Sequence, residues 1–354
     1  MKARVRLTDL PQMGFWGAAL RITKMLEVLL FKFLQLLDLY RAQKSIIGIP
    51  SLATRNSTSL QAVVFNGTQE EVLGFRHRRW LNRILRGVPD LEFFESVQFQ
   101  LSVSENALRT VEGSTENRGF IHLQLPWQLP YQLPTMAWSR MEPKGIDTPV
   151  GRILLGDYEI IASPVFFLHD GIRNIIVSDI DDTIKDSNIL HSTRFSDIIK
   201  GIFQGHYYRY DPIVGMAELY QRLSQKNTLI VYLTSTPYQL APFMLKFLTD
   251  SGFPQGPVFP RWLGYGRFGH KWRTLHRLFS SITTQRCFLI GDSGEQDLQI
   301  YHRVSLTPGF ESKVGKILIR HVPGTALLKT DSSLEVFYKD PTELESLLTP
   351  LLVE

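Results

Sequence analysis

The sequence predicts an α/β protein that carries a parallel sheet in its second half, and three observations lead to this fold class. From about residue 173, short runs rich in Ile, Val and Leu alternate with amphipathic helical segments. Acidic motifs directly follow two of these runs, at Asp179 and at Asp292. The residues before 173 lack the alternation and show short apolar runs separated by Gly, Asn, Ser and Pro. Alternating strands and helices are typical of parallel sheets, which bind ligands at the carboxyl ends of their strands.

The first segment, residues 1–44, predicts an amphipathic helix. Charged and polar residues interrupt its apolar run every few positions, so no uncharged span of ~20 residues remains to cross a membrane. At ~100° per residue these polar positions fall on one stripe and leave a broad apolar face. Two alternatives stay open: the helix lies in a membrane interface, or its apolar face docks on protein.

Three further segments follow. Residues 45–168 predict a β-rich domain, because short apolar runs bounded by turn residues are typical of antiparallel strands in a sandwich-like domain. Residues 169–330 predict the α/β domain, and residues 331–354 predict a C-terminal helical tail.

Charge and cysteine content limit the function classes. The chain has 354 residues, a formal net charge of +5 and a single cysteine, Cys287. One thiol makes no internal disulfide, which favours a cytoplasmic protein, with peripheral membrane association as an alternative. The charge is too modest to predict a nucleic-acid partner. Five arginines cluster between Arg76 and Arg86, and this segment is either a surface for anionic lipid or an ordinary solvated helix face.

The stretch "IIVSDIDDTIKDSN" places Asp179 and Asp181 at the end of a predicted strand. Neighbouring carboxylates raise each other's pKa unless a cation balances them, and Mg²⁺ prefers such oxygen ligands. Alternate residues of an extended segment point the same way, so both carboxylates can address one phosphoryl group. One would attack the phosphorus and the other would exchange a proton with the leaving oxygen.

Three further motifs follow the predicted strands. Thr234 and Ser235 come after "LIVYL", Lys271 opens a predicted helix, and "GDSGEQD" follows "RCFLI". Thr234 and Lys271 would hold phosphoryl oxygens, since hydroxyl and ammonium groups stabilise charge that develops during transfer. The candidate metal ligands are Asp179, Asp181, Asp292 and Asp297, with Glu295 as the alternative to Asp297 in an outer-shell role.

The order of these motifs resembles the haloacid dehalogenase superfamily of aspartate-nucleophile phosphohydrolases. More narrowly, "SDIDDTIKDSN", "YLTSTPYQL", "GHKWRTLHRLF" and "LIGDSGEQDLQIY" resemble the catalytic domain of the actin-patch-associated phosphatidate phosphatases, which are relatives of the lipins. The resemblance covers roughly residues 170–325. It implies Asp179 as the nucleophile, Asp181 as the acid/base, Thr234 and Lys271 as further catalytic residues, and Asp292 as a metal ligand. It also implies a haloacid-dehalogenase-like Rossmannoid sheet.

This chain departs from the family pattern at two places. Its second motif reads Thr-Ser-Thr-Pro where the family usually has Ser-Asn-Ser-Pro, so either Thr234 or Ser235 makes the key contact. The expected arginine before Lys271 is Arg261 or Arg267.

The insertion between the first two motifs has only some forty residues, which predicts a small cap or none. The predicted substrate-binding residues are Thr183, Ser235 and Arg267.

The sequence therefore predicts a Mg²⁺-dependent phosphatidate phosphatase-like enzyme that works through an aspartyl-phosphate. Its predicted partners are a phospholipid or other phosphomonoester substrate and a membrane surface reached through the N-terminal helix and the arginine cluster. Two alternatives stay open: a phosphatase of a soluble phosphomonoester, and a catalytically silent, membrane-associated binding module.

Overall fold

The structure of the protein is a computed structural model, and it describes residues 44–54, 57–66, 96–102, 108–114, 120–125, 150–155, 158–168, 171–186, 211–225, 227–238, 241–261, 267–325 and 332–352. The predicted N-terminal helix up to residue 43 and the Arg76–Arg86 cluster lie outside these residues. Both stay predictions, as does membrane association through them. Within the described ranges, no helix has the length and apolar character needed to span a membrane.

In the described part of the chain before the predicted α/β segment, seven strands form one sheet in the order β4-β3-β6-β7-β1-β2-β5. The neighbouring strands pair antiparallel except β1 and β7, which pair parallel at residues 51–53 and 165–167. A separate sandwich-like domain with the boundaries 45–168 stays a prediction. The strands are β1 (Lys44–Ala53), β2 (Thr58–Asn66), β3 (Ser96–Ser102), β4 (Leu108–Ser114), β5 (Phe120–Leu125), β6 (Val150–Leu155) and β7 (Tyr158–Phe167).

A six-stranded sheet, parallel throughout, forms the α/β part of the chain, as the alternating pattern predicts. A two-stranded antiparallel ribbon, β9 and β10, follows its first strand in the sequence. The strands are β8 (Asn174–Ser178), β9 (Lys185–Asp186), β10 (Asp211–Pro212), β11 (Thr228–Pro237), β12 (Val258–Arg261), β13 (Arg286–Asp292), β14 (Val314–Arg320) and β15 (Glu335–Tyr338).

The strand order of this sheet, β12-β11-β8-β13-β14-β15, changes direction at β8. The chain continues from β8 to β11 and β12 on one side, and then returns to β13 on the other side. Such a reversal opens a crevice at the carboxyl ends of the strands, because the connections leave in opposite directions. Asp179 follows β8 at this position.

Within the described residues, five α-helices cover both faces of the parallel sheet. Buried residues of α1, α2 and α5 belong to the core on one face, whereas those of α3 and α4 belong to the core on the other. The sheet residues alternate in the same way, since Ile175 and Val177 lie in one core and Ile176 in the other. The helices are α1 (Met216–Ser224), α2 (Ala241–Asp250), α3 (Arg267–Ser281), α4 (Asp297–Ser305) and α5 (Pro341–Leu348).

The seven-stranded sheet packs against the α/β part rather than standing apart from it. Ile49, Val63 and Phe120 join the first core, and Leu52 and Phe166 join the second. A hydrogen bond also connects the two parts, because the buried Gln61 side chain donates from Nε2 to the carbonyl of Val258 at 3.2 Å. The seven-stranded sheet therefore lies next to the edge strand β12 and protects this edge from pairing with another chain.

The predicted C-terminal tail differs from the structure, and most of the predicted cap lies outside the described residues. The tail predicted as helical over 331–354 begins with strand β15, which pairs parallel with β14, and only then forms α5. The run "LEVFY" contains this strand, but the four residues of β15 are too few for periodicity to distinguish a strand from a loop. The predicted small cap falls mostly on residues 187–210, which lie outside the described residues.

We expect Gly256→Ala to lower the free energy of unfolding by ~2–3 kcal/mol. An added Cβ there would stand 2.0 Å from the backbone oxygen of Ile230, so the strand or its connection must move. In the control, Gly269→Ala within α3, the new Cβ meets nothing within 4 Å. The control should raise stability by up to about 1 kcal/mol, because Ala favours helix over Gly. Chemical denaturation of both variants measures the difference, and equal stabilities would contradict this packing.

Candidate functional site

The candidate site lies where β8 and β13 end side by side. Asp179 follows β8, and its backbone N–H donates to the carbonyl of Ile290 in β13 at 2.9 Å. Asp292 is the last residue of β13, and Asp297 is the first residue of α4. All three aspartates are fully buried. Because parallel strands end at the same edge of a sheet, residues far apart in sequence meet here.

Lys271 lies at the centre of the site. Its Nζ is 2.7 Å from Asp179 Oδ1, 2.5 Å from Asp297 Oδ1 and 3.3 Å from Glu295 Oε2. Only 1% of the side chain is exposed, so water screens these pairs little. A buried charge is costly unless it is paired, and the three acidic partners supply that pairing.

Asp179, Asp292 and Asp297 form a cluster that could hold a cation. One carboxylate oxygen of each lies within 4.8 Å of the others. The Oδ2 atoms of Asp292 and Asp297 are buried and have no hydrogen-bond donor among the described residues. Oxygen atoms of this kind are expensive to bury, and a hard divalent cation prefers them as ligands. The residues present therefore fit a metal ion, although Lys271 alone already balances part of the charge.

The loop after β13 orients Asp292. Its Oδ1 accepts hydrogen bonds from the backbone N–H groups of Gly294 at 2.6 Å and Glu295 at 3.0 Å. These contacts leave Oδ2 facing the cluster of acidic residues. At Gly291 a Cβ would stand 2.5 Å from Asp297 Oδ2, so only glycine lets Asp297 approach the strand this closely.

The Asp181 carboxylate lies in a different network. Its Oδ1 pairs with Lys185, and its Oδ2 accepts hydrogen bonds from Thr234 Oγ1 at 3.0 Å and Thr236 Oγ1 at 2.7 Å. The backbone N–H of Thr236 also donates to Thr234 Oγ1 at 2.9 Å. The carboxylate of Asp181 is thus held by one cation and two hydroxyls, and it is not one of the three clustered ligand groups.

The two networks shift pKa values in opposite directions. Burial raises the pKa of Asp179 well above its ordinary value, against the lowering effect of Lys271. Burial also raises the pKa of Asp292, and the neighbouring Asp297 adds to the increase. For Asp181, burial acts in the same upward direction, but Lys185 and the two threonines outweigh it and lower the pKa. Asp181 is therefore ionised at neutral pH, whereas the clustered carboxylates favour a balancing cation.

The remaining predicted hydroxyls also lie near these carboxylates. Thr183 Oγ1 donates to Asp179 Oδ2 over a long 3.4 Å. Ser235 Oγ donates to Glu295 Oε2 at 2.8 Å, so Ser235 reaches the Lys271 network while Thr234 reaches Asp181. The structure thus brings both candidates of the second motif to the site, in contact with different acidic residues.

The turn after Asp181 is held by an arginine at the end of β14, two strands away from β8 in the same sheet. Asp182 has φ of 55°, a left-handed conformation that is uncommon for a residue other than glycine. Arg320, at the end of β14, donates from Nη1 to the carbonyl of Asp182 at 2.7 Å. This contact compensates part of the conformational cost and orients the turn that carries Asp181.

The two candidate arginines before Lys271 lie on different elements, Arg261 on β12 and Arg267 on α3. Arg261 is buried and donates from Nε to the carbonyl of Ser235 at 2.8 Å, so it supports the second motif. Arg267 is the first residue of α3, and its side chain lies outside the described part of the structure. Its predicted contact with substrate stays a prediction.

Sequence reasoning missed two residues that contact Asp181, namely Lys185 and Thr236. Lys185 stands four residues after Asp181 in the same motif, and its side chain is only 6% exposed. A lysine four residues after an aspartate predicts an ion pair only on a helix, and the sequence predicts no helix between Asp181 and Lys185. Thr236 belongs to the same Thr-Ser-Thr-Pro motif, and the sequence does not show which of its three hydroxyls face the acidic residues.

The fold and site define a class: a three-layer α/β protein with strand-end aspartates around a buried lysine. Residues 174–321 match the family model of the catalytic domain of phosphatidate phosphatase APP1. The resemblance that the motifs predict is therefore confirmed over this segment.

Two curated relatives match this chain over similar lengths. Phosphatidate phosphatase APP1 of Saccharomyces cerevisiae is 25% identical over 154 residues, which is 41% of this chain. An uncharacterized protein of Schizosaccharomyces pombe is 26% identical over 158 residues, or 42% of this chain. Each match covers only 25% of the relative's own length.

A solved structure was also found, that of a HAD family hydrolase from Deinococcus radiodurans with bound phosphate and sodium. It aligns with 52% of this chain and 99% of its own length, at 13% identity and a TM-score of 0.31. This TM-score is too low to show a shared fold.

We expect Lys271→Met to lower the free energy of unfolding of the metal-free protein by ~3–5 kcal/mol at about pH 7, because it leaves buried carboxylates without their cation. The pKa values of Asp179 and Asp292 are raised in the folded state, so protonation stabilises the fold as the pH falls. The defect should therefore shrink between about pH 7 and about pH 5. Denaturant unfolding in the presence of a chelator measures both quantities.

The control is Lys246→Met, which removes an exposed lysine paired with Asp250. It should change stability by less than about 1 kcal/mol at either pH. A pH-independent defect in the Lys271 variant would contradict the assigned charges.

Proposed function

We propose that this protein is a Mg²⁺-dependent phosphatase that hydrolyses phosphomonoesters through an aspartyl-phosphate on Asp179, with phosphatidate as its substrate. One observation carries the proposal: buried Lys271 contacts Asp179 within a cluster of acidic residues at the strand ends. The match of residues 174–321 to a phosphatidate phosphatase catalytic domain supports it.

In the first step, a carboxylate oxygen of Asp179 attacks phosphorus, and the bond from phosphorus to the leaving oxygen breaks. Asp181 gives a proton to that oxygen, which departs as an alcohol. In the second step, Asp181 takes a proton from water while the water oxygen attacks the aspartyl-phosphate. The phosphorus bond to Asp179 then breaks, and inorganic phosphate and the free carboxylate are released.

The contacts of Asp181 fit the second step directly. Lys185 and the two threonines keep its carboxylate ionised and hold it in place, which is the state of a general base. Its earlier role as proton donor requires the Lys185 contact to loosen when substrate enters. Lys185 is thus a positioning residue that sets the protonation of Asp181.

Asp179, Asp292 and Asp297 would hold the Mg²⁺, with the backbone carbonyl of Asp181 as a further ligand. When bound, the ion supplies positive charge to the carboxylates and to the phosphoryl oxygens. Lys271 lowers the repulsion between Asp179 and an incoming phosphate, because its Nζ already contacts that carboxylate. Ser235 and Lys271 share the partner Glu295, which supports a role for the Ser235 hydroxyl in binding a phosphoryl oxygen.

We expect Asp179→Asn to reduce Mg²⁺-dependent phosphate release by ~10³-fold or more, because the amide cannot form the aspartyl-phosphate. The assay compares phosphatidate in mixed micelles with soluble phosphosugars and nucleotides. The matched control is Asp250→Asn on the exposed end of α2, which should keep full activity. Phosphate release by Asp179→Asn at the wild-type rate would refute the covalent mechanism.

The same screen separates the candidate substrates. Faster turnover of phosphatidate supports the lipid proposal, whereas faster turnover of a soluble ester would favour the soluble phosphomonoester. If wild-type protein released no phosphate from any compound, the silent binding module would be the better reading.

We expect Mg²⁺ to raise the thermal unfolding midpoint of the chelated protein by roughly 5–10 °C at a concentration about 100-fold above its Kd. The effect should be smaller at about pH 5, since the raised pKa values of Asp179 and Asp292 let protons compete with the ion. Calorimetry with and without Mg²⁺ at the two pH values measures the shifts.

Asp292→Asn should lose most of this midpoint increase, while Asp250→Asn should keep it. An equal increase in both variants would place the Mg²⁺ elsewhere.

A further inference from the structure

The carboxylate of Glu295 lies where the proposed mechanism places a phosphoryl oxygen. Its Oε2 accepts a hydrogen bond from Ser235 Oγ at 2.8 Å and lies 3.3 Å from Lys271 Nζ. One oxygen atom thus bridges a hydroxyl group and an ammonium group. A phosphoryl oxygen also carries negative charge and accepts hydrogen bonds from both kinds of donor, so it would fit the same two partners.

Lys271 keeps other acidic partners if Glu295 withdraws. Its Nζ lies closer to Asp179, at 2.7 Å, and to Asp297, at 2.5 Å, than to Glu295. The buried ammonium would therefore retain two carboxylates, and no uncompensated buried cation would result. Among these three ion pairs, the one with Glu295 is exchanged at the least cost.

Glu295 also differs from the aspartates of the site in its exposure. Its side chain is 21% exposed, whereas those of Asp179 and Asp297 are fully buried. A partly exposed carboxylate reaches water by a change of rotamer, and its hydration then compensates for the lost contacts. The backbone N–H of Glu295 donates to Asp292 Oδ1 at 3.0 Å, and a rotation of the side chain alone leaves this hydrogen bond in place.

We propose that Glu295 competes with the phosphoryl group of the substrate for Ser235 and Lys271, and that an entering phosphate displaces its carboxylate. The exchange replaces one anion with another, so the charge around Lys271 stays balanced. Neutral molecules such as water or an alcohol make weaker contacts with an ammonium group, so Glu295 selects for anionic ligands. This inference rests on the function proposed above, in which Ser235 and Lys271 hold the phosphoryl group.

The test measures binding of inorganic phosphate to the full-length protein by titration calorimetry in buffer that contains Mg²⁺, and it requires no turnover. Glu295→Gln keeps an acceptor for Ser235 but removes the negative charge. We expect this variant to bind phosphate ~10-fold more tightly than wild type, because the ligand no longer competes with a carboxylate for Lys271. A purely structural role of Glu295 predicts the opposite, since a loosened loop would weaken binding.

A second variant separates displacement from long-range repulsion. Glu295→Asp keeps the negative charge but shortens the side chain by one methylene, so the carboxylate cannot reach both Ser235 and Lys271 at the observed distances. We expect it to bind phosphate roughly 3-fold more tightly than wild type, because a competing ion pair is lost. If only long-range repulsion acted, the affinity of this variant would equal that of the wild type.

The matched control is Glu311→Gln, which removes one negative charge from an exposed residue. Glu311 lies directly before β14, at the amino ends of the strands and therefore away from the site. This variant should keep the wild-type affinity for phosphate. Thermal unfolding shows whether each variant folds, and if Glu295→Gln does not, the comparison of Glu295→Asp with wild type decides.

Three results would overturn the proposal. Equal or weaker affinity in both Glu295 variants would do so even if wild type hydrolyses phosphatidate. Tighter binding by Glu295→Gln alone would show repulsion without displacement. No binding to any of the four proteins at up to ~10 mM phosphate would mean that Ser235 and Lys271 hold no phosphate of useful affinity. The expected order of affinities in a protein that hydrolyses no ester would support the competition and refute only the hydrolysis.

Discussion

The ion pairs of Lys271 are the interaction on which the candidate site depends. Three buried carboxylates at one edge of the sheet would repel each other, and their desolvation would oppose folding. Lys271 contacts Asp179 and Asp297 closely and Glu295 at a longer distance, so the helix that carries it is tied to two loops at once. The position of α3 therefore matters for the charge balance of the site as well as for the core.

The same physical rule, that a buried charge needs a partner, separates the two aspartates of the first motif. Asp179 belongs to a cluster in which buried oxygen atoms of Asp292 and Asp297 receive no hydrogen bond from the described residues, and this cluster fits a cation. Asp181 already has Lys185 and two threonine hydroxyls, and it favours the ionised state. Two carboxylates that are neighbours in sequence thus have different surroundings, and this difference supports the two separate roles proposed for them.

The seven-stranded sheet contributes to more than stability. It covers the β12 edge and supplies one wall of a cavity whose other wall is α3. Helix α3 carries Lys271 toward the aspartates, and its next turn contributes Thr274 and Arg277 to the wall of this cavity.

The sequence by itself determined the parallel sheet, the order of its motifs and the position of Asp179, Lys271 and Asp292 at one edge, because strand periodicity and strand-end residues are local signals. It did not determine β15, whose four residues are too short for a pattern, or which hydroxyl contacts which acid. Only the tertiary structure brought Lys185 and Thr236 to Asp181 and Ser235 to Glu295. Such contacts depend on side-chain directions and on packing between distant segments, and no spacing along the chain encodes them.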